Sequence, residues 1–87
     1  MSSAAQAWCL YLIECRNGCW YAGITNNIER RYAAHLAGRG AKYTRAHPPV
    51  RLLGTRAFAD RSAASKAEHA IRKLPRARKL AFLAQSD

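Results

Sequence analysis

Acidic side chains are scarce in this sequence. Five Asp and Glu stand against fifteen Lys and Arg in 87 residues, leaving a formal charge of +10. A surplus of that size on so small a body attracts polyanions, and a phosphate backbone is the commonest polyanion in a cell. Charge alone is also met by a solvated basic surface, so it does not choose between a nucleic-acid protein and a merely soluble one. Long apolar runs are missing too. The longest, "WCLYLI" (8–13), is too short for a signal core or a membrane span, and the leader "MSSAAQA" (1–7) has no basic stretch ahead of it. The leader reads as disordered, and no export or membrane segment is expected. Cysteine is few and odd in number: Cys9, Cys15 and Cys19. An odd set excludes a closed disulfide framework and fits a reducing cytoplasm. The C-x3-C spacing of Cys15 and Cys19 lacks the second pair a zinc site needs, so small buried residues are the expectation. No internal repeat, low-complexity tract or interdomain linker is visible, and 87 residues hold one domain, taken as 8–85.

What is present is a mixed pattern. "WCLYLIEC" (8–15) and "CWYAGIT" (19–25) are β-prone runs around the turn signal "RNG", a hairpin. A two-residue Asn17-Gly18 turn would put Tyr11 and Tyr21 on opposite faces. A three-residue loop with Gly18 left-handed would pair Tyr11 with Gly23 and put both tyrosines on one face. "NNIERRYAAHLAGRG" (26–40) reads as a helix, with Asn26 as cap, Glu29 completing a capping box, and Gly38 or Gly40 ending it. Ile28, Tyr32 and Leu36 form its packing stripe, and Arg31 and His35 lie on the adjoining row. "GRGAKYTRAHPP" (38–49) is a basic loop, "VRLLGTRAF" (50–58) a third strand, "RSAASKAEHAIRKL" (61–74) a helix, and "RARKLAFLA" (76–84) another after Pro75. The order β-β-α-β-α-α gives an α+β domain built on a small three-stranded antiparallel sheet flanked by helices.

Glu68 is the anomaly in that pattern. It falls inside the apolar row Ala64, Ala67, Ile71 and Leu74, where a carboxylate must be paired, protonated or set against a cation. A structural ion pair meets that need. So does a loosely held Mg2+, an ion that keeps most of its waters. The tyrosines alone suit core aromatics, and Arg31 with His35 suits a solvated basic face.

Taken together these residues are more specific. A tyrosine in "LYL" (10–12), a second in "YAG" (21–23), then "ITNNIERRYAAH" (24–35) and the glutamate-bearing "SKAEHAIRKL" (65–74) resemble the GIY-YIG nuclease family, in its compact stand-alone branch, over 8–83. The resemblance implies a three-stranded sheet with the site on one face, one divalent ion (Mg2+ or Mn2+), and hydrolysis of DNA phosphodiesters. Tyr11 and Tyr21 match the motif tyrosines, Gly23 the closing glycine, Arg31 the family arginine, His35 the position usually held by His or Tyr, and Glu68 the metal ligand. Because both tyrosines then serve one site, the resemblance selects the three-residue hairpin loop. Two departures stand out: the literal "GIY" is absent, and no Asn follows Asn27, where some family members place one late in the chain.

The implied chemistry has Glu68 holding the ion, water attacking in line, and its proton going to Tyr11, assisted by Tyr21 or His35. A phenol with its ordinary pKa near 10 is a poor base at neutral pH, so Arg31 is expected to favour the phenolate and to steady the transition state. Arg39, Lys42 and Arg45 in the loop, with Arg72, Lys73, Arg76, Arg78 and Lys79, are expected to contact phosphates without reading sequence. Tyr43 suits either a stacked unpaired base, favouring single-stranded or branched DNA in repair or recombination, or packing on the sheet. The competing classes are a basic module that binds DNA, RNA or the ribosome with an idle site, and a protein-interaction domain.

Overall fold

The computed structural model describes residues 7–85; the expected leader, Ala7 apart, lies outside the described residues. Strand β1 (Trp8–Cys15) is central, with β2 (Trp20–Thr25) and β3 (Pro49–Phe58) antiparallel on its two sides, in the order β2-β1-β3. Helix α1 (Ile28–Leu36) follows the hairpin, and α3 (Arg61–Arg72) and α4 (Arg76–Ala84) close the chain. The expected β-β-α-β-α-α order is present. One short addition sits in the basic loop, the five-residue helix α2 (Lys42–Ala46).

The hairpin takes the three-residue loop. Tyr11 pairs with Gly23, Cys15 N–H donates to the Cys19 carbonyl at 2.9 Å, and Gly18 turns with φ 85°. Tyr11, Ile13 and Cys15 therefore share one face, where Tyr21, Ile28, Tyr32 and Tyr43 pack against them. Leu10, Leu12 and Ala22 occupy the other face under Ala67, Ile71 and Leu83. Helices α1 and α2 thus cover the tyrosine side and α3 and α4 the leucine side. Strand alternation has sorted the two cores.

Local chemistry departs from expectation at three points. The cap of α1 is Asn27, not Asn26: its side chain accepts the Arg30 N–H at 3.1 Å, and its own N–H is already held by Thr25 Oγ1 at 3.0 Å. The back-bond of a capping box from Glu29 has no donor left to take. The helix ends in a Schellman motif, Arg39 N–H to the Ala34 carbonyl and Gly38 N–H to that of His35, with Gly38 at φ 78°. Second, the α1 stripe keeps Ile28 and Tyr32 against the sheet but ends on His35 instead of Leu36. His35 is buried and Leu36 is 57% exposed, because the imidazole finds two hydrogen-bond partners beneath the helix that a leucine could not use. Third, of the cysteines, all free thiols, Cys15 is buried, Cys9 partly so and Cys19 exposed. Cys19 lies between the turn and β2 rather than filling the core.

Candidate functional site

The tyrosine face gathers four of the residues singled out above. The Tyr11 hydroxyl and His35 Nε2 share a hydrogen bond of 2.9 Å, and both side chains are buried. The Tyr21 ring meets the same imidazole edge-on, its centroid 5.7 Å away, as does that of Tyr11. Arg31, one turn before His35, puts its charge beside both the Tyr11 hydroxyl and His35. It also lines a cleft of about 420 Å³ with Thr25, Asn26, Asn27, Arg30 and Ala34.

Gly23 lets this cluster reach the edge of the sheet. The Tyr11 ring lies across the Gly23 backbone, and a Cβ at that position would land on the phenol. β2 is an edge strand, so a ring crossing it at a glycine delivers its hydroxyl toward the free edge. Glu68 comes to that edge from the other side. α3 buries Ala64, Ala67 and Ile71 against the leucine face and leaves Glu68 half-buried at its margin. The carboxylate is close enough to act on the Tyr11 hydroxyl, pushing its pKa up. Tyr11, Tyr21, Arg31 and His35 thus gather on one face of the sheet. Glu68 lies on the other, tied to the β2 backbone through Arg72 and within electrostatic reach of Tyr11.

The electrostatics correct one expectation. Burial is the largest influence on Tyr11 and pushes its pKa above the ordinary tyrosine value, Arg31 opposing it only in part. A standing phenolate is therefore not favoured. His35 is held below its ordinary value, by burial first and by Arg31 second, so its neutral form is the one present at pH 7. That makes His35, not the Arg31 charge, the group able to relieve Tyr11 of a proton.

Two residues in this network escaped sequence reasoning. Thr44 is buried, shares a 2.6 Å hydrogen bond with His35 Nδ1, and donates to the Ala41 carbonyl at 3.0 Å. Gly40 passes so close to the imidazole that a Cβ would overlap it. The one available signal was the threonine three residues after Ala41, a spacing at which a hydroxyl bonds backward to a carbonyl.

The basic residues divide. Arg39, Lys42, Arg45, Lys73 and Arg78 are exposed. Arg72, also exposed, bonds back to the fold, its Nη2 donating to Glu68 Oε2 at 2.7 Å and to the Ala22 carbonyl at 3.2 Å. Lys79 caps the end of α3 through the Ile71 carbonyl at 2.6 Å, and burial lowers its pKa. Arg76 lies over the Trp20 ring, 4.3 Å from its centroid. Tyr43 stacks on Tyr21 at 5.8 Å, faces His47 at 4.9 Å and accepts a hydrogen bond from Asn17.

A divalent ion suits the donor set at Glu68. The ion pair with Arg72 is half-exposed and of the i,i+4 kind, a type worth about 0.3–0.5 kcal/mol, so it does not lock the carboxylate. Oε1 takes no hydrogen bond among the described residues. No group of three or more His, Cys, Asp or Glu that could hold a metal occurs among them. A lone hard oxygen ligand matches Mg2+ or Mn2+ keeping a water shell, and is unlike a closed zinc site.

Comparison with known proteins gives a consistent set of likenesses. Residues 7–81 match the sequence profile of the GIY-YIG catalytic domain. A UPF0213 protein of Xanthomonas axonopodis pv. citri is 60% identical over 80 residues, 92% of this chain and 78% of that one. Another from Cupriavidus pinatubonensis is 49% identical over 85 residues, 98% of this chain and 94% of that one. Among solved structures, a protein from E. faecalis is similar at TM-score 0.61 and 38% identity, over 95% of this chain and 88% of that one. A UPF0213 protein of Bacillus halodurans is similar at TM-score 0.53 and 37% identity, over 90% and 83%.

Proposed function

Because this chain belongs to the GIY-YIG catalytic-domain family, a nuclease family, we propose that it is a divalent-metal-dependent endonuclease that hydrolyses DNA phosphodiesters, on single-stranded or branched DNA in repair or recombination. The observation that supports this reading is the buried Tyr11–His35 hydrogen bond with the Arg31 charge beside it, on a ring packed over Gly23, with Glu68 near enough for its charge to reach Tyr11. The acid adds to the burial that keeps the Tyr11 phenol neutral, so its proton must leave through a neighbouring base.

Glu68 would hold one Mg2+ or Mn2+, which supplies Lewis-acid polarisation of a non-bridging phosphate oxygen when bound. The remaining work falls to the chain. Arg31, lining the cleft beside Tyr11, donates to the scissile phosphate as charge builds on it. The Tyr11–His35 pair receives the proton of the attacking water. Tyr21 fixes the imidazole edge, and Tyr43 buttresses Tyr21; stacked on that ring and with His47 tilted against it, Tyr43 is better suited to that task than to stacking a base. Arg39, Lys42, Arg45 and Lys73, with Arg76 and Arg78, would hold the backbone by phosphate contact, so strand state or shape rather than sequence sets the preference. Arg72 would exchange its weak bond to Glu68 for a phosphate once the ion occupies the carboxylate.

Labelled single-stranded, duplex and branched DNA incubated with the protein and Mg2+ tests this. Nicking that chelator stops, faster on single-stranded or branched DNA than on duplex, is the expected result. Tight binding with no strand broken under any divalent ion would leave the other reading, a basic module that keeps the nuclease fold without its chemistry.

A further inference from the structure

We propose that Thr44 is a positioning residue that fixes the direction of proton transfer at the Tyr11–His35 pair, by holding the imidazole in its Nδ1–H form so that the Tyr11 hydroxyl donates to Nε2. The consequence for catalysis rests on the nuclease reading; the tautomer does not.

The assignment comes from counting hydrogens. Thr44 Oγ1 carries one, and it points to the Ala41 carbonyl at 3.0 Å. That carbonyl already accepts the Arg45 N–H at 3.1 Å, and its second lone pair takes the hydroxyl. Nδ1 lies 2.6 Å from the same Oγ1, so the hydrogen between them must belong to the ring. The imidazole is neutral and has only one N–H, which leaves Nε2 bare, and the Tyr11 hydroxyl fills it at 2.9 Å. Every hydrogen has an acceptor along the series Tyr11, His35, Thr44, Ala41.

The reverse order fails at its far end. If Thr44 donated to Nδ1, the Nε2–H would donate to the Tyr11 oxygen, and the phenolic hydrogen would need another acceptor. Among the described residues the hydroxyl's hydrogen bond is to His35; Arg31 beside it can only donate, and Glu68 acts on it through its charge rather than by a hydrogen bond. Tyr11 is 1% exposed, so the hydrogen would be buried and unpaired, the arrangement folded proteins avoid. His35 and Thr44 are likewise 1% exposed, so no solvent exchange blurs the order.

Direction matters to the chemistry. As water attacks phosphorus, one of its protons passes to the Tyr11 oxygen while the phenolic proton passes to Nε2. The ring becomes an imidazolium whose Nδ1–H still rests on Thr44, and the departing 3′ oxygen takes a proton from solvent. Tyr11 never has to exist as a free phenolate, which its burial disfavours. The same α2 turn presents Lys42 and Arg45 outward and Thr44 inward, so the segment placed to meet the DNA backbone also orients the imidazole.

Long-range 1H–15N correlation on the full chain labelled at histidine reads the tautomer without reference to activity. The wild type and Thr44→Ser should show His35 protonated at Nδ1 and bare at Nε2; Thr44→Val, which offers no acceptor, should show the proton moved to Nε2. In parallel, kcat should fall about 10²-fold in Thr44→Val with DNA affinity retained, and Thr44→Ser should restore most of it. An Nε2–H ring in the wild type overturns the proposal, as does Thr44→Val keeping the Nδ1–H form. Should Thr44→Val not fold, the wild type and Thr44→Ser spectra decide alone. An Nδ1–H ring in a wild type that cuts no DNA supports the Thr44 assignment and removes the nuclease reading instead.

Discussion

Glu68→Ala is expected to abolish metal-dependent strand cleavage while DNA binding persists. Metal assistance to phosphoryl chemistry is worth several kcal/mol, which at 1.36 kcal/mol per decade is roughly 10²-fold to 10⁴-fold in rate. The fold should survive, because the substitution removes an i,i+4 ion pair with Arg72 at the margin of the buried row, a loss of about 0.3–0.5 kcal/mol. Binding should hold or tighten slightly, since a negative charge leaves the phosphate path and the Arg72 guanidinium is released. Gel-shift and single-turnover cleavage on the same branched substrate separate the two effects. Near-wild-type cleavage by Glu68→Ala would end the metal assignment.

Arg31→Ala should be nearly as damaging, by about 10²-fold to 10³-fold in the chemical step, the range for deleting one positioned donor to a developing oxyanion. Its second effect identifies the mechanism. Arg31 is one of the two influences that hold His35 below its ordinary pKa, so its removal should move the His35 titration upward toward the ordinary value. It also removes the one group opposing burial at Tyr11. NMR titration of His35 in the variant, read with the rate, separates loss of a phosphate clamp from loss of the local field. Arg31→Lys should not rescue fully, because a single ammonium cannot keep both the phenol and a phosphate in the fixed fork that a guanidinium offers.

Much of the fold was legible because hydrophobic alternation and turn chemistry agree with the tertiary answer. The strands, the flanking helices and the α+β class follow from local pattern. Glu68 was legible for a different reason: an acid on an apolar helical row has no packing explanation, and in the structure it sits at the margin of that row facing β2. The hairpin register was not decidable from "RNG" alone, since both loop lengths satisfy Gly18. The partner of Tyr11 is instead settled across the sheet, where Gly23 leaves the room a phenol needs. Leu36 misled, because side-chain hydropathy ranks a leucine inside and a histidine outside. Two hydrogen-bond partners beneath the helix reverse that order, and neither is visible in helical periodicity. Thr44 lies in a helix of five residues, too short for any period to register. Arg72 and Lys79 look like free surface cations in composition, yet each bonds a backbone carbonyl whose position only the packed helices define.

The central claim is that an acid on α3 and a phenol, guanidinium and imidazole on the opposite face of the sheet form one metal-bearing site around β2. Paramagnetic mapping with Mn2+ tests it most directly. Substoichiometric Mn2+ added to the 15N-labelled protein should first broaden the amides of Glu68 and of Ala22 and Gly23 beside it, then those of Tyr11 and Arg31, with no such pattern in Glu68→Ala. Broadening centred instead on Glu14 or Asp60, or spread evenly over the surface, would contradict it.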